Sequence, residues 1–375
     1  MNETVADRIS RNLCEFEAKG LKRKLAAPSG IDLSSNDYLG LAKDERLKNA
    51  MIEAVKREGV GSTGSRLLRG ERKSFTEVEK QFAAWKSAEK SLYFNSGYQA
   101  NIGLLQTFLE ELDTVFSDEF NHASLIDGMR LAKCRKVIFR HLDFENLAKL
   151  LRETDCKGQK FLVTESLFSM DGDIAPLKKY AELCAETNTN LIVDEAHAVG
   201  IYGKKGSGLI EELGIENQVF VSVNTAGKAL GASGAFVAGN DLAIEYLIQK
   251  CRSFIFSTAP LPAVADVLKN AITIAENETE RRDQLLDLSS FLRESLNENG
   301  IKVPFDNSQI IPIIIGESEK AVKIAEHLQA AGFDVRAIRP PTVAQGTSRL
   351  RVSLNTNLTK KILQDFVSAL KNELK

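Results

Sequence analysis

Seven short apolar runs, alternating with longer helix-period segments between residues 90 and 240, constrain this chain more than any other feature. The runs are SLYF (91–94), TVFS (114–117), KVIF (136–139), KFLVTES (160–166), NLIVDE (190–195), VFVSV (219–223) and GAFVAG (234–239). Helix-period segments lie between most of them, and Pro176 falls in the first turn of one that runs to Thr187. Alternation of this kind predicts crossover units and a mostly parallel sheet buried on both faces. The last two runs are joined by a Gly-rich segment too short for a helical crossover, which predicts an antiparallel neighbour.

Beyond residue 240 the pattern changes. Pro260 to about Asn299 reads as one long helix. IIPIII (310–315), a helix to Ala331, FDVRAI (333–338), SRLRVSL (348–354) and a terminal helix predict a compact α+β unit. The expected organisation is a helical arm over 1–45, a large α/β domain over 46–285 and a C-terminal α+β domain over 286–375. A chain of 375 residues suits a large core plus a smaller one.

Composition excludes several classes. The 49 basic and 51 acidic residues give a net charge of −2, so no global field draws the chain to nucleic acid or anionic lipid. No apolar run reaches the roughly 18 residues of a membrane span. MNETVADRISRNLCEF reads as a polar amphipathic helix without the apolar centre of a signal peptide. Cys14, Cys134, Cys156, Cys184 and Cys251 are scattered and odd in number, which points to reduced thiols in a cytoplasmic protein, with neither a disulfide frame nor a metal site.

Two motifs tempt and fail. GVGSTG (59–64) fits a dinucleotide fingerprint, but a helix-like stretch precedes it where a strand is required. LIVDEAH (191–197) matches the Asp-Glu-Ala-His box of RNA helicases, which also needs a phosphate loop. The sole candidate lysine for one, Lys228, has Ser222 where the first glycine belongs and Ala229 where the hydroxyl belongs.

The strand ends form a more coherent set, since ligands of open α/β sheets bind beyond the carboxyl ends of the strands. SLYF leads to Ser96 and Gly97, TVFS toward His122, KFLVTES toward Ser169, NLIVDE to Asp194 and His197, and VFVSV to Thr225 and Lys228. Each residue alone has a plain structural reading as a cap, a turn former or a packed histidine. Their coincidence on one edge, with Lys228 as the one charge between Glu216 and Asp241, is what carries the argument. Desolvation in an uncharged pocket disfavours an ammonium and so favours a nucleophilic amine. A helix N-terminus with Gly offers backbone N–H groups to a phosphate. A carboxylate can keep a pyridine nitrogen protonated, and an imidazole can stack on the ring or bond its phenolic oxygen. These parts suit pyridoxal 5′-phosphate (PLP).

The chain also resembles the α-oxoamine synthases, fold-type-I PLP enzymes, over nearly its whole length. The matching stretches are SSNDYLGL (34–41), GSTGSRL (61–67), NSGYQAN (95–101), NHASLIDG (121–128), ESLFSMDGD (165–173), VDEAHAVGIYG (193–203), NTAGKALGASGAFVAG (224–239), FSTAPLP (256–262) and RPPTVAQGTSRLRVSL (339–354). The resemblance implies a large domain with a seven-stranded sheet, a small C-terminal domain, and a homodimer with active sites at the subunit interface. It implies that Lys228 is the Schiff-base lysine, that Asp194 pairs with the pyridine nitrogen, and that His197 and Ser169 lie near the phenolic oxygen. His122 would stack on the ring and take part in catalysis. Ser96, Gly97, Tyr98 and Thr225 would bind phosphate, and Ser257 and Thr258 would reach the phosphate of the other subunit. Arg351, or Arg349 on the same strand face, would grip a substrate carboxylate. Two positions depart from the common pattern: Phe75 stands where many members carry histidine, and Ala226 replaces a bulkier residue.

Members of the family condense an amino acid with an acyl thioester and release CO2. AIRPPTVAQGTSRLR (337–351) is most similar to the member that joins L-alanine to a pimeloyl thioester, carried by coenzyme A or an acyl carrier protein, in biotin biosynthesis. Members that use glycine or serine are the alternative. Lys22, in the basic cluster Lys22–Lys24, and Thr342 are further candidates for substrate contact.

Overall fold

The computed structural model describes residues 3–304 and 308–374. Met1, Asn2 and Lys375, which fall within the expected N-terminal and terminal helices, lie outside the described residues, as do 305–307. The chain divides into two compact units. One holds Asn36–Ser169 and Asp173–Gln284; the other holds the described residues up to Ser35, Met170–Gly172 and those from Leu285 onward.

The larger unit is built on seven strands: β1 (Lys90–Phe94), β2 (Thr114–Asp118), β3 (Arg135–Phe139), β4 (Lys160–Glu165), β5 (Thr189–Asp194), β6 (Val221–Thr225) and β7 (Ala235–Gly239). Their order is β1-β7-β6-β5-β4-β2-β3. β7 alone runs against its neighbours, pairing Val221 with Gly239 and Thr225 with Ala235 on β6, and Lys90 with Gly239 on β1. The short Gly-rich link between β6 and β7 dictates that reversal. β6 begins two residues later than the apolar run 219–223 suggests, because it pairs with β5 from Ile192↔Val221 onward.

The central strands read as continuous apolar runs because both faces are covered. Leu162, Val163, Ile192, Val193, Val221 and Val223 are all fully buried. On one face, Leu104 and Leu105 of α1 (Gly97–Phe108) pack with Val163, Ile192, Val223 and Val237. The parallel arrangement brings the carboxyl ends of β1, β2, β4, β5 and β6 to one edge, and this decides where chemistry can occur.

The expected helix over 260–299 is two helices, Pro262–Asn277 and Thr279–Glu298. Glu278 between them leaves helical geometry (φ −94°, ψ 68°), and its carboxylate pairs with Arg281 at 2.9 Å and with Arg46. Pro176 caps the helix Leu177–Glu186 and does not lie inside its first turn.

In the smaller unit, β8 (Ile310–Gly316), β9 (Arg336–Ile338) and β10 (Ser348–Ser353) form an antiparallel sheet with β10 central. FDVRAI is not one strand. Phe333–Asp334 pairs with Ile31–Asp32, and a tight turn (Val335 N–H to Phe333 O, 2.9 Å) around buried Val335 sends Arg336–Ile338 into the other sheet. The helix Val5–Ala18 starts at a Thr4–Asp7 capping box and leaves Val5, Ile9, Leu13 and Phe16 exposed.

Candidate active site

Lys228 sits in the link between β6 and β7. Ala226 N–H bonds Gly234 O at 2.9 Å, Ala232 N–H bonds Ala226 O at 3.1 Å, and Gly231 N–H bonds Lys228 O at 2.9 Å. Gly231 and Gly234 have φ of +61° and +91°, left-handed values that glycine adopts without strain. These bonds close a compact turn that half-buries Lys228, and its Nζ lies 2.8 Å from His197 Nε2. His197 follows β5 by three residues and is buried; its Nδ1 faces the hydroxyl of fully buried Tyr38 at 2.6 Å. Tyr38 in turn donates to Asn36 Oδ1 at 2.9 Å.

Asp194 ends β5. Its Oδ1 accepts the N–H of Ala196 at 2.9 Å and its Oδ2 accepts from Asn101 Nδ2 at 2.7 Å. Asn101 Nδ2 also donates to Ser124 Oγ at 2.9 Å. Ser124 in turn lies 2.7 Å from His122 Nδ1, which accepts the Ser124 N–H at 3.2 Å as a cap on α2 (Ala123–Leu131). A hydrogen-bonded chain thus runs from Asp194 to His122. Because Nδ1 of His122 accepts, the neutral ring carries its proton on Nε2. Burial, the largest influence, lowers the His122 pKa below the usual imidazole value; the charge of Lys228 adds to this and that of Asp194 opposes it.

His122 is also held from behind, its N–H donating to Glu165 Oε1 at 2.6 Å. Glu165 ends β4, opposite Asp194 in register on β5. Burial raises its pKa to about 8, helped by the negative charge of Asp194.

Ser96 caps α1 by accepting the Gln99 N–H at 3.2 Å. A Cβ on Gly97 would fall 2.6 Å from Thr225 Oγ1, so only glycine lets the start of α1 lie against that hydroxyl. Tyr98, exposed, donates to Asp127, and its ring meets that of His122 edge-on with centroids 6.3 Å apart. Ser169 lies in the turn closed by the Leu167–Ile174 bridge. Ser257 and Thr258 sit beside Asn95, whose Nδ2 reaches Ser257 Oγ at 3.4 Å and Thr258 O at 3.0 Å.

The remaining candidates belong to the smaller unit. Lys22 pairs with Glu17 at 3.0 Å on the surface. Thr342 N–H bonds Arg339 O at 3.1 Å. Arg349 and Arg351 alternate with Leu350 along β10 and are buried; Arg349 pairs with Asp171, and Arg351 donates to Ser353 Oγ at 2.7 Å. The variant positions are well packed. Phe75 is fully buried with the Arg66 guanidinium 4.8 Å from its ring centroid, and Ala226 is fully buried in the turn described above.

The structure thus gathers Lys228, His197, Asp194 and His122 at one sheet edge, and Gly97 with Thr225 beside each other. It adds Tyr38, Asn101, Ser124 and Glu165, which lie inside quoted motifs without marking themselves out. The available signal was a polar residue on an apolar helix face: Asn101 is buried alongside Ala100, Leu104 and Leu105. Among the described residues no group of three or more His, Cys, Asp or Glu could hold a metal ion.

Residues 28–370 match the family Aminotransferase class I and II. An 8-amino-7-oxononanoate synthase from Lysinibacillus sphaericus is 40% identical over 378 residues, covering 97% of each chain. A serine palmitoyltransferase structure from S. paucimobilis with a bound PLP–myriocin adduct superposes with a TM-score of 0.91 at 28% identity, covering 98% of this chain and 96% of that one. The structure of 8-amino-7-oxononanoate synthase from Francisella tularensis gives 0.80 at 30% identity, covering 92% of this chain and 98% of that one.

Proposed function

The chain belongs to the class I and II aminotransferase family, and we propose that it is a PLP-dependent acyltransferase that condenses L-alanine with a pimeloyl thioester. The products are 8-amino-7-oxononanoate, CO2 and a free thiol, a step of biotin biosynthesis carried out in the cytoplasm. The observation that carries the chemistry is Lys228 Nζ against His197 Nε2, with Asp194 at the same sheet edge. The choice of substrates is supported by near full-length likeness to 8-amino-7-oxononanoate synthases at about 40% identity.

The residues fit the cofactor. The Gly97–Thr225 approach leaves nowhere for a Cβ at a helix N-terminus whose N–H groups suit a phosphate, and both oxygens of Asp194 accept, as suits a carboxylate facing a protonated nitrogen. In this reading Ser96, Gly97, Tyr98 and Thr225 hold the phosphate, Asp194 holds the proton on the pyridine nitrogen, His122 stacks on the ring, and His197 and Ser169 lie at its phenolic oxygen. PLP, when bound, supplies an electron sink that acidifies the Cα–H of the amino acid. Lys228 anchors the cofactor through Nζ; that amine, once free, takes the Cα proton of alanine. His197, oriented by Tyr38, holds the amine in place. His122 presents Nε2–H and is a candidate donor to the thioester carbonyl.

The roles of Lys22, Thr342, Arg349 and Arg351 in gripping substrate rest on resemblance alone, as does the contribution of Ser257 and Thr258 to a partner's phosphate. Exposed Leu67, Leu68 and Phe256 support a homodimer, since they offer apolar surface to a second copy.

The test is thiol release from the purified, PLP-loaded protein across alanine, glycine and serine with pimeloyl and acetyl thioesters. Alanine with the pimeloyl thioester should give the highest kcat/KM. Preference for glycine with acetyl, or for serine, would assign the chain to another branch of the family.

A further inference from the structure

His141 lies outside the cluster around Lys228, yet both of its ring nitrogens are engaged. It follows β3, and its two ring nitrogens each face a carboxylate: Nδ1 is 2.8 Å from Asp118 Oδ1, and Nε2 is 2.8 Å from Asp173 Oδ2. A neutral imidazole has one donor and one acceptor nitrogen, so it would set a lone pair against one of these carboxylates. Only the imidazolium satisfies both. Phe120 stacks on the ring with centroids 4.4 Å apart, and Phe168 meets it edge-on at 4.5 Å.

The partners of His141 are what give it meaning. Asp118 ends β2 and starts the loop that leads to His122; it also accepts the N–H groups of Phe120 at 2.8 Å and Leu142 at 3.0 Å. Asp173 closes the turn that carries Ser169, with its carbonyl accepting the Phe168 N–H at 3.0 Å. We propose that His141, as an imidazolium gripped by Asp118 and Asp173, is a positioning residue that fixes the loop of His122 against the turn of Ser169. The functional weight of this inference rests on the reading of the site given above.

The surrounding charges support it. Burial opposes protonation of His141, but its bonds to Asp118 and Asp173 outweigh that and raise its pKa to about 9. Glu119 accepts the His141 backbone N–H at 2.8 Å. Arg140 turns to Asp143 at 2.6 Å. Tyr180, on the helix packed beside the cluster, is pushed well above the usual phenol range by burial and by Asp118 and Asp143. It therefore stays neutral while His141 titrates.

The experiment has two arms on the full-length holoenzyme. In the first, the ring signals of the four histidines are followed by NMR against pH, with His141→Asn for assignment. One ring should stay protonated through pH 8, and its signal should vanish in the variant. If all four lose their proton at or below the ordinary imidazole value, the proposal is wrong. In the second, kcat is measured against pH in the wild type and in Asp173→Asn, which keeps the shape of the turn but removes one negative charge. The wild-type rate should fall on the alkaline side as His141 deprotonates. In Asp173→Asn that fall should begin about one pH unit lower or more, whereas a merely structural contact would lower the rate equally at every pH. Coincident alkaline limbs in the two proteins overturn the positioning role. A wild type without cofactor absorbance or thiol release would instead defeat the proposed function, while the NMR arm would still decide the state of His141.

Discussion

Lys228 Nζ lies 2.8 Å from His197 Nε2, and the opposite nitrogen of that ring faces the Tyr38 hydroxyl at 2.6 Å. Since Tyr38 directs its proton to Asn36 Oδ1, its oxygen accepts from His197 Nδ1–H, which leaves Nε2 as the acceptor for Lys228. A buried phenol therefore sets the tautomer of the imidazole that faces Lys228 Nζ.

Tyr38→Phe keeps the buried ring and removes the hydroxyl, both as acceptor from His197 and as donor to Asn36. Turnover should fall about tenfold, the equivalent of one hydrogen bond of about 1.4 kcal/mol, with KM for the amino acid little changed. Steady-state kinetics check this; an unchanged kcat would show that the tautomer is set elsewhere.

Asn101 joins Asp194 to Ser124, and through it to His122. Asn101→Ala should strip a donor from each and lower unfolding free energy by about 1–3 kcal/mol in urea melts. It should also weaken cofactor retention during dialysis. Loss of stability with full retention would make Asn101 a packing residue only.

Gly97→Ala sets a methyl group against Thr225 Oγ1. Relieving that contact should cost about 1–2 kcal/mol and, by moving the start of α1 away from Thr225, weaken PLP affinity on the order of tenfold. The thermal midpoint of the cofactor-free protein should fall as well, because the contact is present without the cofactor. Equal affinities in the two proteins would place the phosphate elsewhere.

Glu165 has a folded-state pKa of about 8 against an ordinary value of 4.5, so between these values the folded protein binds a proton that the unfolded chain has released. Its contribution to stability is complete below pH 4.5 and lost as pH rises through 8. Its share of the slope should reach about 1.4 kcal/mol per pH unit inside that window. Glu165→Gln should flatten the slope, and denaturant melts at pH 5, 6.5 and 8 measure it. His141, raised to about 9, adds a loss of the same sign between pH 6.5 and 9, which the variant should retain.

Local sequence carried the sheet well, because a parallel strand buried on both faces writes itself as an apolar run and a short glycine link forbids a crossover. It misjudged places where a tertiary contact overrides local pattern. Glu278 leaves helical geometry where it pairs with Arg46, which lies far away in the chain, and the segment 333–338 divides its residues between two sheets. The strand-end residues Asp194, His197 and Lys228 could be read from position alone. Tyr38 and Asn101 could not: each acts on a partner more than 90 residues away, a relationship that no local spacing encodes.

The central claim, that Lys228 is the residue through which this protein holds PLP and turns over, is tested most directly by Lys228→Ala. The account predicts that the wild type is yellow, that borohydride fixes the cofactor to the peptide containing Lys228, and that the variant loses both that fixation and thiol release from pimeloyl thioester with alanine. A variant that kept its covalent cofactor and its turnover would contradict it.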